Sequence, residues 1–290
     1  MKKRYLETLI EAAIFLSGLI VIIFVILIFV FLLRESIVFF ANQNLLGVLS
    51  GQDWYPISDP PRFGFLPLIL GSLFVTLGAI VIAVPLSLAA AIYISEVSPR
   101  RFKNILKTGI ELLAAIPSVV LGFIGIVALS PLIKNIFNLP TGLTALTGSI
   151  MLAFMAMPTI VSIIEDAITS VPRSYKEGAL ALGATHWQTI RRVILPAAFP
   201  GIIAAVMLGI GRVIGETMVV LMITGNAAIM PTSILQPVRT LTATVASEMG
   251  EVIRGSQHYY ALYGIGLVLF LITFFVNLMA DIFLHRKRYR

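Results

Sequence analysis

The chain has 290 residues, of which 58% are hydrophobic and 12% charged, with a formal net charge of +7; its mean hydropathy is +0.99 and its pI near 9.8. Soluble domains carry about 25% charged residues, so half that charge cannot cover a water-facing surface, and the bilayer is the main solvent. The basic residues gather in short loops, which points to membrane topology rather than nucleic acid. The lack of cysteine excludes disulfides, thiol catalysis and thiolate metal sites. The three histidines, His186, His258 and His285, lie too far apart in sequence for a histidine-based metal site.

In chain order, a basic "KKR" precedes an uncharged run from Ala12 to Leu33. As a helix this run is about 33 Å long, enough to cross the hydrocarbon core. It exceeds the apolar core of a signal peptide and no small-x-small cleavage site follows, so it reads as a retained first span. The outer stretch "SIVFFANQNLLGVLSG" is amphipathic and suits the interface. Five more charge-poor runs follow: Phe63–Ser95, Leu112–Ile133, Leu139–Ile164, Ala197–Ile223 and Tyr259–Ala280. The second span is longer than the bilayer requires, so it tilts or begins at the interface. Pro85, Pro117 and Pro158 fall inside these runs, where neighbouring helices satisfy the freed backbone groups. With the N-terminus inside, 15 of the 21 lysines and arginines lie on the cytoplasmic side, which places both termini there. The fold class is an all-α integral membrane protein of six transmembrane helices. It divides into a tip, first span and outer loop at 1–63, a five-span core at 64–285 with a large loop at 165–196, and a basic tail at 286–290.

That loop reads "EDAITSVPRSYKEGALALGATHWQTIRRVILPAAFPG". It is long, helix-prone and partly apolar, with a bend at Gly183. Either it packs on the protein's own cytoplasmic face or it docks another subunit. The segment "EGALALGATHWQTIRRVILP" resembles the "EAA" loop of ABC-importer permeases, whose pattern is E-A-A, three residues, G, nine residues and I-x-L-P. Glu177, Ala179, Gly183, Leu195 and Pro196 fall in register. Gly178 replaces the middle alanine, at about 1 kcal/mol of helix propensity, and Val193 replaces isoleucine. The resemblance implies the type I ABC importer permease fold, with Glu177, Gly178, Ala179, Leu182 and Gly183 coupling to a separate ATPase. The chain lacks the Gly-Lys pair of a P-loop. ATP and magnesium therefore belong to the partner, and this chain is expected to bind no cofactor and to be no enzyme.

"FGFLPLILGSLFVTLGAIVIAVPLSLAAAIYISE", "GRVIGETMVVLMITGN" and "VRTLTATVASEMGE" resemble the phosphate-import permeases of the PstC type. That resemblance implies a prokaryotic plasma-membrane complex with a second, PstA-like permease, two ATPase subunits and an extracytoplasmic phosphate-binding protein. It also points to Arg212 and Glu216 as translocation residues. Arg212 lies 16 residues past Pro196, about 24 Å along a helix and thus within the bilayer. Intramembrane charges mark substrate paths, and a guanidinium suits phosphate oxygens. On one continuous helix Glu216 would face Arg212 one turn away and neutralise it; the alternative is a purely structural pair.

Nearby Thr217, Thr224 and Asn226 either extend a polar path or bond the backbone, and the G-x-x-x-G of Gly211 and Gly215 reads as close helix packing. Thr240, Thr242, Thr244 and Ser247 either meet an entering anion or cap a short re-entrant helix. Glu248 and Glu251 face a binding protein or water, and Glu165 and Asp166 are expected to be solvated. The competing functions are a permease for another oxyanion or small solute, an ion-coupled secondary transporter, and a membrane scaffold.

Overall fold

The computed structural model describes residues 2–286, with side chains for residues 10–99, 101–279 and 282. Residues 287–290 of the basic tail lie outside the described residues, and so do the side chains of the initial basic cluster. Among the described residues six helical stretches are long and apolar enough to cross a membrane: Ile10–Ala41, Leu66–Val97, Ser118–Phe137, Ala145–Thr169, His186–Ile214 and Gln257–Met279.

The first of these lies within α1 (Lys2–Ala41). It is apolar on every side and packs chiefly against the last helix, α13 (Gln257–Arg286). The Phe29 ring lies tilted against Phe270 at 5.4 Å, and Phe31 meets Tyr263 edge-on at 5.5 Å. The amphipathic stretch from Ser36 to Gly51 is not a single element. It is split between the end of α1 and α2 (Leu45–Ser50), with Phe39 and Val48 buried in protein and Ile37, Val38, Leu45 and Leu46 exposed. Phe39 and Val48 join Trp54, Phe63, Phe65 and Leu68 in an aromatic cluster, with Leu241 and Leu262 beneath. A two-stranded antiparallel ribbon, β1 (Trp54–Tyr55) and β2 (Arg62–Phe63), contributes two of these aromatics.

At the centre of the bundle, α7 (Ala145–Thr169) packs most extensively against α3 (Leu66–Ile92) and then against α10 (Leu195–Ile214). Small residues set the α3–α7 distance. Ala79, Ala83, Ala153 and Ala156 are fully or almost fully buried, and a β-carbon at Gly78 would fall 2.4 Å from Ser149 Oγ. The Ser149 hydroxyl donates to the carbonyls of Val75 and Ala145, at 3.2 and 2.8 Å. Where lipid is as apolar as leucine, close backbone approach and interhelical hydrogen bonds supply the association.

Several boundaries differ from those expected, each for a local reason. The third span begins at Ser118. Leu112–Ala114 belongs to α4 (Arg100–Ala114), an amphipathic helix, and Pro117 caps α5 (Ser118–Ile124) with extended backbone rather than sitting inside a helix, because proline biases the residue before it out of the helical region. A π-helical turn, Gly125–Leu129, joins α5 to α6 (Ser130–Phe137). The fourth span starts only at Ala145. Asn138 adopts the left-handed conformation that ends α6, and Thr144 caps α7 by accepting from the Thr147 N–H. Span two ends in a π-helical turn, Tyr93–Val97. Glu165, expected in water, is 3% exposed. α4 folds over it, so that Lys103 and Lys107 reach its carboxylate at 2.9 and 2.8 Å, while Asp166 remains exposed and takes Lys107 at 3.0 Å. The hydrogen bonds to Glu165 and Asp166 hold the Lys107 ammonium well above the usual lysine range. On the ammonium side the tie is lost only as pH rises towards that elevated value; on the other side it requires the Glu165 and Asp166 carboxylates to be ionised.

The outer end of α3 meets the segment that follows span five. A β-carbon at Gly71 would fall 2.3 Å from the Arg239 carbonyl oxygen. Gly71→Val is expected to cost about 1–3 kcal/mol by overpacking, read as a lower thermal midpoint of the detergent-solubilised protein. Gly109→Ala, in open space on α4, is expected to leave the midpoint unchanged or raise it. Equal midpoints for Gly71→Val and the parent chain would refute the close approach.

Candidate functional site

Span five is not one helix through Ile223. The chain enters it through α9 (His186–Thr189) and a π-helical turn, Ile190–Ile194, and runs on as α10. Pro196 does not interrupt this path, because it falls in the first turn of α10, where a missing N–H costs nothing. α10 then ends at Gly215, and a separate short helix, α11, covers Met218–Ile223. The break separates the two charges expected to pair.

Arg212 sits in the last turn of α10, half-buried. Its Nη1 donates to Thr159 Oγ1 of α7 at 2.6 Å. Glu216 lies beyond the helix end. Its Oε1 accepts from the N–H groups of Met218 and Val219, at 3.0 and 3.2 Å. The expected Arg212–Glu216 ion pair is therefore absent. Among the described residues no carboxylate comes within 4.0 Å of the Arg212 guanidinium. The reason is competition: the first N–H groups of α11 have no intrahelical partners, and a carboxylate two residues upstream satisfies two of them.

Thr217 turns its hydroxyl to the Gly215 carbonyl at 3.3 Å. Gly211 makes only ordinary contact with Asn277, 3.7 Å from a β-carbon position, and Gly215 meets no second helix. The G-x-x-x-G spacing thus marks a helix end rather than a tight crossing. Thr224 and Asn226 bond to the backbone, to Val220 and Leu221 carbonyls at 2.7 and 2.6 Å.

The segment after α11 folds back into the bundle. The carbonyls of Ile234 and Gln236 accept the Leu146 and Ala145 N–H groups at 2.8 and 2.9 Å, satisfying the start of α7. α12 (Leu241–Glu248) is capped by Thr240, whose hydroxyl accepts from the Ala243 N–H. Thr244 donates to the Thr240 carbonyl, and Ser247 to that of Thr244. These hydroxyls serve the helix, as the capping alternative holds. Thr242 instead donates to the Glu216 carbonyl at 2.9 Å, so the outer segment braces the break in span five.

Glu248 is half-buried and engaged within the protein. Its carboxylate takes Arg239 Nη1 at 2.8 Å, His258 at 2.7 Å and Trp54 Nε1 at 3.2 Å. Glu251 is exposed. Sequence reading missed Thr159 because its partner Arg212 lies 53 residues away, and missed the hub because Trp54 lies 194 residues from Glu248 and nothing local shows that the nearby Arg239 and His258 turn towards it.

On the other side of the bundle, α8 (Arg173–Ala181) has no buried residue. Gly183 takes a φ of +81°. This lets the Gly183 and Ala184 N–H groups return to the Leu180 and Ala179 carbonyls, at 2.9 and 3.1 Å, the αL turn that glycine makes at least cost. Glu177, Gly178, Leu182 and Gly183 are exposed and Ala179 is half-buried; Leu182 is 91% exposed. Space is open around Gly178 and Gly183. Tyr175, Leu180 and Trp187 are exposed as well. The loop thus anchors itself through Ile168, Ile190 and Ile194, which are buried in the core of the bundle, while Tyr175, Leu180, Leu182 and Trp187 are left exposed.

With this geometry in hand, the comparisons with known proteins are consistent. The chain is 42% identical over 240 residues to the probable ABC transporter permease protein YqgH of Bacillus subtilis, covering 83% of this chain and 78% of that protein. It is 37% identical over 257 residues to the phosphate transport system permease protein PstC of Mesorhizobium japonicum, covering 82% and 78%. With PstC of Haemophilus influenzae it shares 35% over 273 residues, covering 88% and 84%. Among solved structures, a chain of a bacterial alginate ABC transporter in complex with a pentasaccharide-bound periplasmic protein superposes with a TM-score of 0.68 at 15% identity, covering 96% of this chain and 94% of that one. A chain of the MetNI methionine ABC transporter does so with a TM-score of 0.61 at 18% identity, covering 79% and 99%. The architecture is thus the type I ABC importer permease fold of a multi-pass inner-membrane protein. Residues 83–289 match the family model of that group, and the chain belongs to the family of binding-protein-dependent transport system inner membrane components.

Proposed function

We propose that this protein is one of two permease subunits of an ATP-driven phosphate importer, supplying half of the translocation path. The observation that carries the proposal is Arg212. It is a half-buried guanidinium in the last turn of α10, beside the break in span five, steadied by the Thr159 hydroxyl and with no carboxylate in ion-pair range among the described residues. An arginine keeps its charge at any working pH and offers a planar fork to an oxyanion. The PstC relatives, matched over more than four-fifths of this chain, support phosphate as that oxyanion.

Arg212 binds the anion transiently. Glu216 and Thr217 shape the path rather than neutralise it: the Glu216 carboxylate keeps α11 apart from α10, and Thr217 lies at the bend between them. A second reading keeps the architecture and changes the cargo, since a guanidinium recognises any tetrahedral oxyanion; competition by sulfate separates the two.

The partners follow from the same reading. A PstA-like permease completes the path, and an extracytoplasmic phosphate-binding protein delivers the substrate. Two ATPase subunits bind ATP and magnesium and receive α8, through Glu177, Gly178, Ala179, Leu182 and Gly183. Residues 64–285 form the permease core, and residues 1–63 add the peripheral first span and outer cap. Both termini face the cytoplasm.

Three measurements test these points. The first is uptake of labelled phosphate at equal abundance of assembled complex. Arg212→Gln is expected to lose about tenfold or more, the rate equivalent of one charge-assisted hydrogen bond, and Arg212→Lys to fall between it and the parent. Parental uptake by Arg212→Gln would rule out the translocation role. The second is ATPase co-purification. Gly183→Glu combines a strained backbone position with a charge on the docking face, and is expected to release the ATPase or abolish substrate-stimulated hydrolysis; normal behaviour in both would reassign the loop. The third uses the absence of native cysteine. A membrane-impermeant thiol reagent on intact cells should label Ser256→Cys and spare Ser174→Cys, and the opposite pattern would invert the orientation.

A further inference from the structure

The proposed docking helix α8 has two covalent routes into the bundle, through Pro172 to α7 and through α9 to α10. The structure contains a third link. Lys176, beside Glu177 on α8, forms an ion pair with Glu96. From α9, His186 Nε2 lies 3.2 Å from the Glu96 main-chain carbonyl. Both helices of the loop therefore grip the same residue, at the cytoplasmic end of span two. The Glu96 side chain is only 10% exposed, so its charge is held out of water and depends on this partner. Both sides of the grip carry π-helical turns, Tyr93–Val97 around Glu96 and Ile190–Ile194 after α9. Such turns hold one residue more than an α-turn and recur at functional sites.

What Glu96 is attached to makes the link consequential. Span two is a single rod of 32 residues, Leu66–Val97, about 48 Å long. Along its length it packs on α7 through small residues. At its far end Gly71 abuts the Arg239 carbonyl, and Ser72 Oγ accepts the Leu241 N–H at 2.9 Å. Leu241 opens α12, whose Thr242 holds the Glu216 carbonyl at the break in span five. A contiguous series of contacts thus runs from the docking loop, up span two, through α12, and back to the bend beside Arg212.

We infer that Glu96 is a positioning residue for coupling: its grip on Lys176 and His186 delivers displacement of α8 to span two, and through α12 to the bend next to Arg212. The inference rests on the importer reading above and adds a route that span five alone does not supply. Lys176 serves transmission, while its neighbours on α8 serve docking.

The test uses the complete complex, with ATPase and binding protein, reconstituted in liposomes. Glu96→Lys and Lys176→Glu are made singly and together, with Glu96→Gln plus Lys176→Met as a pair without charge. The readouts are ATPase co-purification, basal hydrolysis and phosphate-stimulated hydrolysis. Each single variant is expected to keep the ATPase and basal hydrolysis while stimulation falls about 5-fold or more, the low end of coupling between linked sites. The charge swap is expected to regain stimulation, and the uncharged pair is not. Parental stimulation in the single variants or in the uncharged pair overturns the inference, and so does a loss that the swap leaves unrepaired. Release of the ATPase by the single variants overturns it too, since the pair would then only shape the docking surface. A parent complex without phosphate-stimulated hydrolysis overturns the importer reading and this route together; a stimulated parent with indifferent variants overturns the route alone.

Discussion

The bilayer core offers no water to the backbone, so any interruption of a spanning helix must be satisfied by protein. The break at Gly215–Thr217 is where this constraint organises the molecule. Ending α10 there leaves N–H groups of α11 and the Glu216 carbonyl to be paired. The Glu216 carboxylate takes two of the N–H groups, and Thr242 brings a hydroxyl to the carbonyl. To deliver Thr242, the segment after α11 must fold back into the bundle. The same fold-back lays the Ile234 and Gln236 carbonyls over the start of α7 and the Arg239 carbonyl against Gly71. One interruption thus accounts for the placement of the outer segment, and for the guanidinium that stands beside it without a carboxylate.

Small residues keep the rest of the bundle rigid around that point. The α3–α7 contact is built from alanines, Gly78 and the Ser149 hydroxyl. Interdigitated packing of this kind transmits displacement rather than absorbing it. Span one is the opposite case. It touches mainly α13, shows most of its surface outward, and contributes to the core only at its outer end, through Phe39.

Charges outside the bilayer interior tie separate elements of the fold together. Glu165 gathers Lys103 and Lys107, Glu96 takes Lys176, and Glu248 gathers Arg239, His258 and Trp54. Breaking a partly buried pair leaves a charge without its compensation, which costs more than the intact pair contributes. These ties hold α4, the loop helix α8 and the segment around Trp54 to a bundle whose association is largely apolar. The loop helix α8 bears one such tie and keeps its remaining face open, an arrangement that fits a docking element better than a packed connector.

The sequence by itself determined the class, the number of spans, the helical loop before span five with its bend at Gly183, and the likeness to importer permeases. Those properties are local: hydropathy over about 20 residues sets a span, and a glycine in register sets a turn. Only the tertiary structure decided where the charges point. Arg212 and Glu216 are four residues apart and would share a helix face, but the unpaired N–H groups of α11 captured Glu216, and Thr159 on another helix took Arg212. Glu165 looked solvated because nothing in its own segment shows that α4 will cover it. Glu248 looked like a surface acid because its partners lie up to 194 residues away. Spans follow from solvent preference, which each segment carries in its own composition. Partnerships of polar groups follow from which unsatisfied donors and acceptors the packed bundle brings together, and no single segment contains that information.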